Sequence, residues 1–460
     1  MKARSTCLLL VLAGCNRPGQ PPLDAQPASD AAARANGEPT GTPITVRGVG
    51  KGAKARPRVK KAKLGPSGPI EARTTSPKVY LRNLESRRHG LEDRLRRKPN
   101  EVATLARLAG WHSEKASLDG DLRHAMEADR LLSKAIAETD SVALRTQRAK
   151  ARSHLHRFAA ARADLEAAVA LAPEDPSATH ALSWTLYQLG EREAARKLLA
   201  APPHLGQRSY GEHARDGVLL FEQGRVEEAD RRLRLAAGAY NDVQPIPMAW
   251  IDLQRGLLRL RTGRHEAARK FFRTAYDRLP QFYVAAEHLA ETEALLGNHA
   301  EALALYDEVI RNTRLPEFMA ARAGVLRDMG RAEDAAKAIQ AADARWRKLV
   351  DAFGAAMATH AVSFWLEDLP RPEDARRWAE VNLKGRRDPS SLVLAARARA
   401  ASRHSDAART LLAEAEKSAI ETDEFYTGMA DAWHRLGETE KASAYLAKAR
   451  ELNPKTPDVE

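Results

Sequence analysis

The sequence predicts an all-α fold: a right-handed α-solenoid of about nine to ten helix pairs over residues 79–460, preceded by a disordered basic linker. Three observations point there. The composition leans on Ala and Leu, with aromatics at only 5%, which favours helices over sheets. A small residue recurs as Ala161, Ala195, Ala229, Ala268, Ala302, Ala335, Ala375, Ala408 and Ala442, at steps of 34, 34, 39, 34, 33, 40, 33 and 34 residues. The two cysteines, Cys7 and Cys15, both fall at the very start, so the rest of the chain has no disulfide, thiolate nucleophile or Cys-based zinc site and must be stabilised by packing.

Residues 1–15 read as an export signal. Lys2 and Arg4 precede the apolar run Cys7 to Leu12, far shorter than the roughly 20 residues needed to span a bilayer. The run ends in Leu12-Ala13-Gly14-Cys15, which resembles the lipobox of bacterial lipoproteins. That resemblance implies lipidation at Cys15, a membrane anchor and a place in the cell envelope. Asn16 rather than Asp after the cysteine leans towards the outer membrane, facing the periplasm.

Residues 16–78 hold 10 Pro, 8 Gly, no aromatic, and 12 Lys/Arg against 4 Asp/Glu. So little apolar surface does not offset the entropy of ordering, and the segment is expected to be a disordered linker. Its centre is the block Arg47, Lys51, Lys54, Arg56, Arg58, Lys60, Lys61 and Lys63, with no acidic residue between. Most of the net charge of +13 therefore belongs to this tail. In an exported chain the block does not imply nucleic-acid binding; anionic cell-wall polymer or lipid headgroups are its candidate partners.

From residue 79 onwards each aligned alanine is followed four residues later by Leu165, Leu199, Leu233, Phe272, Tyr306, Ile339, Ala379, Leu412 or Leu446, one helical turn on and on the same face. A glycine lies five residues before it as Gly190, Gly224, Gly263, Gly297, Gly330 and Gly437, where a helix must stop. Small residues sit twelve before it, as Ala149, Ser183, Gly217, Ala290, Ala323, Ala396 and Ala430. The pattern resembles the tetratricopeptide repeat, two antiparallel helices per 34 residues packed through small residues, and its clearest copy runs from Asp423 to Thr456. A degenerate copy begins near Asn100 if the turn around Ser113 to Asp121 is lengthened, with Tyr80 to Arg97 as a leading helix.

Two copies depart from the pattern. After the insertion Gly238 to Pro247, strict phasing puts Arg255 and Arg259 at buried positions, so a one-residue shift is expected, turning Leu253, Leu257 and Leu260 inwards. Pro370 and Pro372 replace the turn glycine in the eighth copy, after an extra helical stretch from Arg345 to Met357, and a kink is expected there.

No phosphate loop, GxSxG elbow or HExxH occurs. The histidines, among them His154, His156, His265 and His299, are scattered, and neither a metal nor a cofactor is expected. An enzyme is not expected either, because the repeats take up the chain. The resemblance implies instead a concave groove lined by the first helix of each repeat, here His180, Trp184, Tyr187, Val218, Phe221 and Trp250, then Glu287, Glu291, Glu317, Arg327, His360 and Phe364. Aromatic anchors with a charged rim suit a protein or peptide ligand. The leading expectation is a lipid-anchored envelope scaffold or assembly factor; the alternative is a cell-wall tether that works through the basic linker.

Overall fold

The computed structural model of the chain describes residues 67–71, 73–199 and 209–459. The expected signal, Cys15 and the block from Arg47 to Lys63 lie outside the described residues. In chain order the helices are α1 (Pro77–Arg97), α2 (Val102–Asp119), α3 (Leu122–Glu138), α4 (Val142–His154), α5 (Phe158–Leu171), α6 (Pro176–Leu189), α7 (Arg192–Leu199), α8 (Tyr210–Glu222), α9 (Val226–Ala239), α10 (Pro245–Leu260), α11 (His265–Arg278), α12 (Tyr283–Leu295), α13 (His299–Thr313), α14 (Pro316–Asp328), α15 (Ala332–Phe353), α16 (Ala355–Glu367), α17 (Pro372–Gly385), α18 (Pro389–Ala401), α19 (Ser405–Ala415), α20 (Asp423–Arg435) and α21 (Thr439–Leu452). No strand occurs among the described residues. Helix α1 leads, and ten helix pairs follow, α2 with α3 through α20 with α21, most of them stacked on the next.

The two helices of a pair start differently. Most first helices open on a side-chain cap or a proline: Ser141, Asp175, Asp388 and Thr422 each accept a backbone N–H, Ser209 and Glu212 form a reciprocal capping box, and Pro245 and Pro316 stand in the first turn. These supply partners for donors a helix N-terminus leaves unmet. Most second helices follow a tight turn without such a cap. The aligned alanines are buried at the crossing, and small residues twelve before them are there for space: a Cβ on Gly217 would lie 2.9 Å from Leu233 Cγ, and one on Gly256 would lie 2.4 Å from Phe272 Cε1. Close backbone approach of this kind lets the large neighbours interdigitate.

The solenoid closes on itself. The Arg387 N–H, just before α18, donates to Leu189 O at the end of α6 at 3.2 Å, and the Glu421 N–H, before α20, donates to Glu222 O at the end of α8 at 2.8 Å. Gly120 after α2 lies under Leu315 and Tyr283, and Gly263 after α10 lies under Asn453 and Lys455. The turns after α6 and α8 thus each abut the start of a first helix about six repeats further along, so that is the length of one superhelical turn, and successive turns touch along a seam. Helix α12 sits in the middle, with every residue from Val284 to Ala294 buried.

Four expectations change. The linker was drawn as disordered to residue 78, yet residues 67–71 and 73–76 run along the solenoid. Ile70 is buried, and its N–H reaches Asp252 Oδ1 at 3.4 Å; Arg255 donates to Ser67 O and Gly68 O at 2.6 and 2.8 Å, and Arg278 to Ile70 O at 2.5 Å. The same contacts correct the register of α10: no shift occurs. Gly256 stands twelve before Ala268, in strict phase, and Asp252 and Arg255 lie fully buried at repeat-core positions because this N-terminal segment and Asp230 satisfy them. Leu253 and Leu260 are buried and Leu257 half-buried on the neighbouring, inward face. The turn expected around Ser113 to Asp121 is instead extra length in α2, ended by Gly120 in the left-handed region. The stretch after Arg345 continues α15 to Phe353, where Gly354 breaks it.

Candidate functional site

The residues expected to line an open groove are for the most part enclosed. Val218, Trp250, Glu287, Glu291 and Phe364 are no more than 5% exposed. His360 and Glu317 are mostly enclosed and pair with each other, Nδ1 to Oε2 at 2.6 Å. Arg327 is exposed and stands 3.8 Å from Asp368. His180, Trp184, Tyr187 and Phe221 are half-buried. The correction has a geometric cause: with about six repeats per turn the first helices converge, so positions that line an open concave face in a wider solenoid become the axial core.

Half-buried aromatics lie on α6, as Trp184 and Tyr187, and on α8, as Phe221. Trp184 and Tyr187 stack with ring centroids 5.6 Å apart and planes 17° from parallel. The Arg192 guanidinium lies over the Tyr187 ring, 4.4 Å from its centroid, a favourable cation–π arrangement. Trp184 and Phe221 rest against the main core with part of each side chain still outside.

The axis is polar where α10, α12, α14, α16, α18 and α20 meet. On α12, His288 Nδ1 lies 3.3 Å from Glu287 Oε2 and 3.0 Å from Glu291 Oε2, all three residues being buried. Burial, with Glu291 and Glu317 adding to it, pushes the Glu287 carboxyl up to about 8. Burial opposes charge on His288, but Glu287 and Glu291 outweigh it and raise the imidazole. Arg261 reaches Glu424 at 3.1 Å, and Arg397 spans Glu367 and Asp431 at 2.8 and 2.5 Å. At the seam Glu222 is buried beside Arg192, 3.3 Å away; burial, then Asp388 and Glu424, raise its carboxyl to about 8, and its Oε1 has no hydrogen-bond partner.

His288, Asp252, Arg261, Arg397 and Glu424 were not singled out from the sequence, and Arg255 was named only as a residue that strict phasing would bury. Asp252 and Arg255 had a legible signal. Gly256 holds the phase, so charged residues on the repeat's buried face call for a partner from elsewhere in the chain. His288 had none, since its surroundings come from elements far apart in sequence.

Comparison with known proteins agrees with this architecture. The tetratricopeptide repeat family profile matches residues 154–214, from the end of α4 into α8, and the same helix pairing recurs from α2 to α21. Over residues 154–214 the chain is similar to the tetratricopeptide repeat, and the described residues form an all-α array of helix pairs. No curated protein sequence matches it. Among solved structures it is similar to the Rap conjugation gene regulator of the plasmid pLS20 in complex with the Phr* peptide, at 15% identity and a TM-score of 0.39, over 76% of this chain and 94% of that one. It is also similar to a tetratricopeptide repeat protein from Parabacteroides merdae, at 14% identity and a TM-score of 0.31, over 53% and 93%. Yeast Tom70 matches at 14% identity and a TM-score of 0.31, over 82% and 90%. Among the described residues no helix is long and apolar enough to cross a membrane.

Proposed function

We infer that this chain is a binding scaffold: a lipid-anchored cell-envelope protein whose repeats hold a partner protein or peptide, as an assembly factor or organiser rather than a catalyst. The observation that supports the reading is the partly exposed, stacked Trp184 and Tyr187 on α6, with Phe221 half-buried on α8, in an array of helix pairs. Large rigid rings with one face available are the usual anchors of peptide recognition. Because the axis beyond α8 is largely filled by the chain itself, the ligand is placed at α6 and α8 and not along the whole inner face.

The anchor rests on Leu12-Ala13-Gly14-Cys15 and the short apolar run before it. An acyl chain contributes about 0.8 kcal/mol per buried CH₂, so it dominates over the basic linker in holding the membrane. Crosslinking pulldown from envelopes tests the scaffold: Trp184→Ala with Phe221→Ala should abolish capture of the partner that the parent chain retains. Unchanged capture overturns the binding surface. Acyl labelling that persists in Cys15→Ala refutes the anchor. Deleting residues 47–63 separates scaffold from tether, since a scaffold keeps its partner without the basic block.

A further inference from the structure

We propose that Glu287, His288 and Glu291 form a structural site for one divalent transition-metal ion, Zn²⁺ by ligand chemistry, at the axis of the superhelix. Each residue offers one donor atom, and the three donors lie within 4.8 Å of one another. The imidazole nitrogen is the common neighbour, at 3.3 Å from Glu287 Oε2 and 3.0 Å from Glu291 Oε2. A tetrahedral Zn²⁺ with bonds of about 2.0–2.1 Å holds its ligand atoms about 3.3 Å apart, close to both imidazole–carboxylate separations, and the two carboxylates, within 4.8 Å of each other, would close on the ion.

A second observation is independent of that spacing. Glu287 is 3% exposed, and its Oε2, the oxygen turned towards His288 Nδ1, has no hydrogen-bond partner. A buried carboxylate oxygen without a donor is costly, and a cation relieves it. Two carboxylates beside a neutral imidazole carry a charge that one dication cancels. One imidazole with two carboxylates is a borderline-to-hard donor set, which suits Zn²⁺ ahead of the soft cations that thiolates select.

The imidazole is also held in place. Its ring stacks on Phe272 at 5.4 Å and 22°, and Phe272 in turn fills the space that Gly256 leaves open. Packing of this kind fixes a ligand's orientation before the ion arrives. The surrounding helix is buried through its full width, so the ion would brace α12 and not turn over a substrate. Its role is that of a central staple, made by a single helix and enclosed by the closing of the turns.

The test uses the full chain with Cys7→Ser and Cys15→Ser, which removes thiols as competing ligands. After dialysis against Zn²⁺, elemental analysis should find about one ion per chain, and Co²⁺ in its place should show the visible bands of a tetrahedral ion. Glu287→Gln and Glu291→Gln should each weaken binding by at least about tenfold, while His124→Gln, at the distant His112–His124 pair, should leave it unchanged. A chain that retains no Zn²⁺, or binding that survives both Glu→Gln changes, overturns the proposal and leaves protons to balance the three groups. If either variant fails to fold, the parent decides alone: Zn²⁺ must raise its melting temperature, and no rise also overturns the site.

Discussion

The turn between the two helices of a pair is the same motif in the early and the late repeats, yet it works in two different surroundings. Gly190, Gly224 and Gly437 all have φ between 70° and 90°, and each stands where one helix of a pair ends. A Cβ on Gly190 would lie 2.6 Å from Arg387 O, whereas one on Gly437 would meet nothing within 4 Å. In the early repeats glycine serves both the left-handed turn and the contact with the next superhelical turn. In the late ones it serves the turn alone. Closure of the superhelix has therefore added a second constraint at the turn glycines of four of the ten pairs without altering the motif that a sequence reader sees.

The sharpest way to break the comparison is Gly190→Val. Left-handed backbone costs about 1–2 kcal/mol for a residue with a Cβ, and the collision here is with backbone, which cannot swing aside. A loss of at least about 3 kcal/mol is expected, read as a lowered urea midpoint and as increased hydrogen exchange at both Leu189 and Arg387. Equal losses from Gly190→Val and Gly437→Val would show that the seam contributes nothing.

Next in size is the pH dependence of the seam. The Glu222 carboxyl is raised to about 8 by burial and by Asp388 and Glu424, so between its ordinary pKa and 8 the folded chain keeps a proton the unfolded chain has released. Stability then falls as pH rises through that window. Glu222→Gln stays neutral, so it should match the parent near pH 5 and exceed it at pH 9 by about 2 kcal/mol, measured as the difference in urea midpoints. Parallel pH profiles would place the charged form in the folded chain, held by Arg192.

Ile70→Ala probes the docked N-terminal segment, and a loss of about 1–2 kcal/mol is expected because the side chain is buried at an edge. The direct readout is limited proteolysis near residues 67–76, faster in the variant. The smallest effect belongs to Gly437→Ala, about 1 kcal/mol from the turn alone, with no change in exchange at distant residues.

The repeat itself was legible because it is local. Helix periodicity, the alanines at each crossing and the stop glycines are all set by neighbours within 34 residues or so, where the chain's own stereochemistry decides the outcome. Ala161, Leu165 and Gly190 could each be assigned from spacing, and the structure places them as read. The inner face was legible only as a set of positions. Trp250 and Glu287 were expected on an open face and are buried, because whether such a face is open depends on the superhelical radius.

What the sequence by itself determined is the unit: paired helices, their crossing residues and the break between them. What only the tertiary structure decided is how the units close. Small tilts at each crossing add up over several repeats, and their sum brings Leu189 to Arg387, buries Glu287 with His288, and gives Asp252 and Arg255 a partner in Ile70 and its neighbours. No short stretch of sequence encodes that sum, because it arises from packing angles that accumulate along the chain.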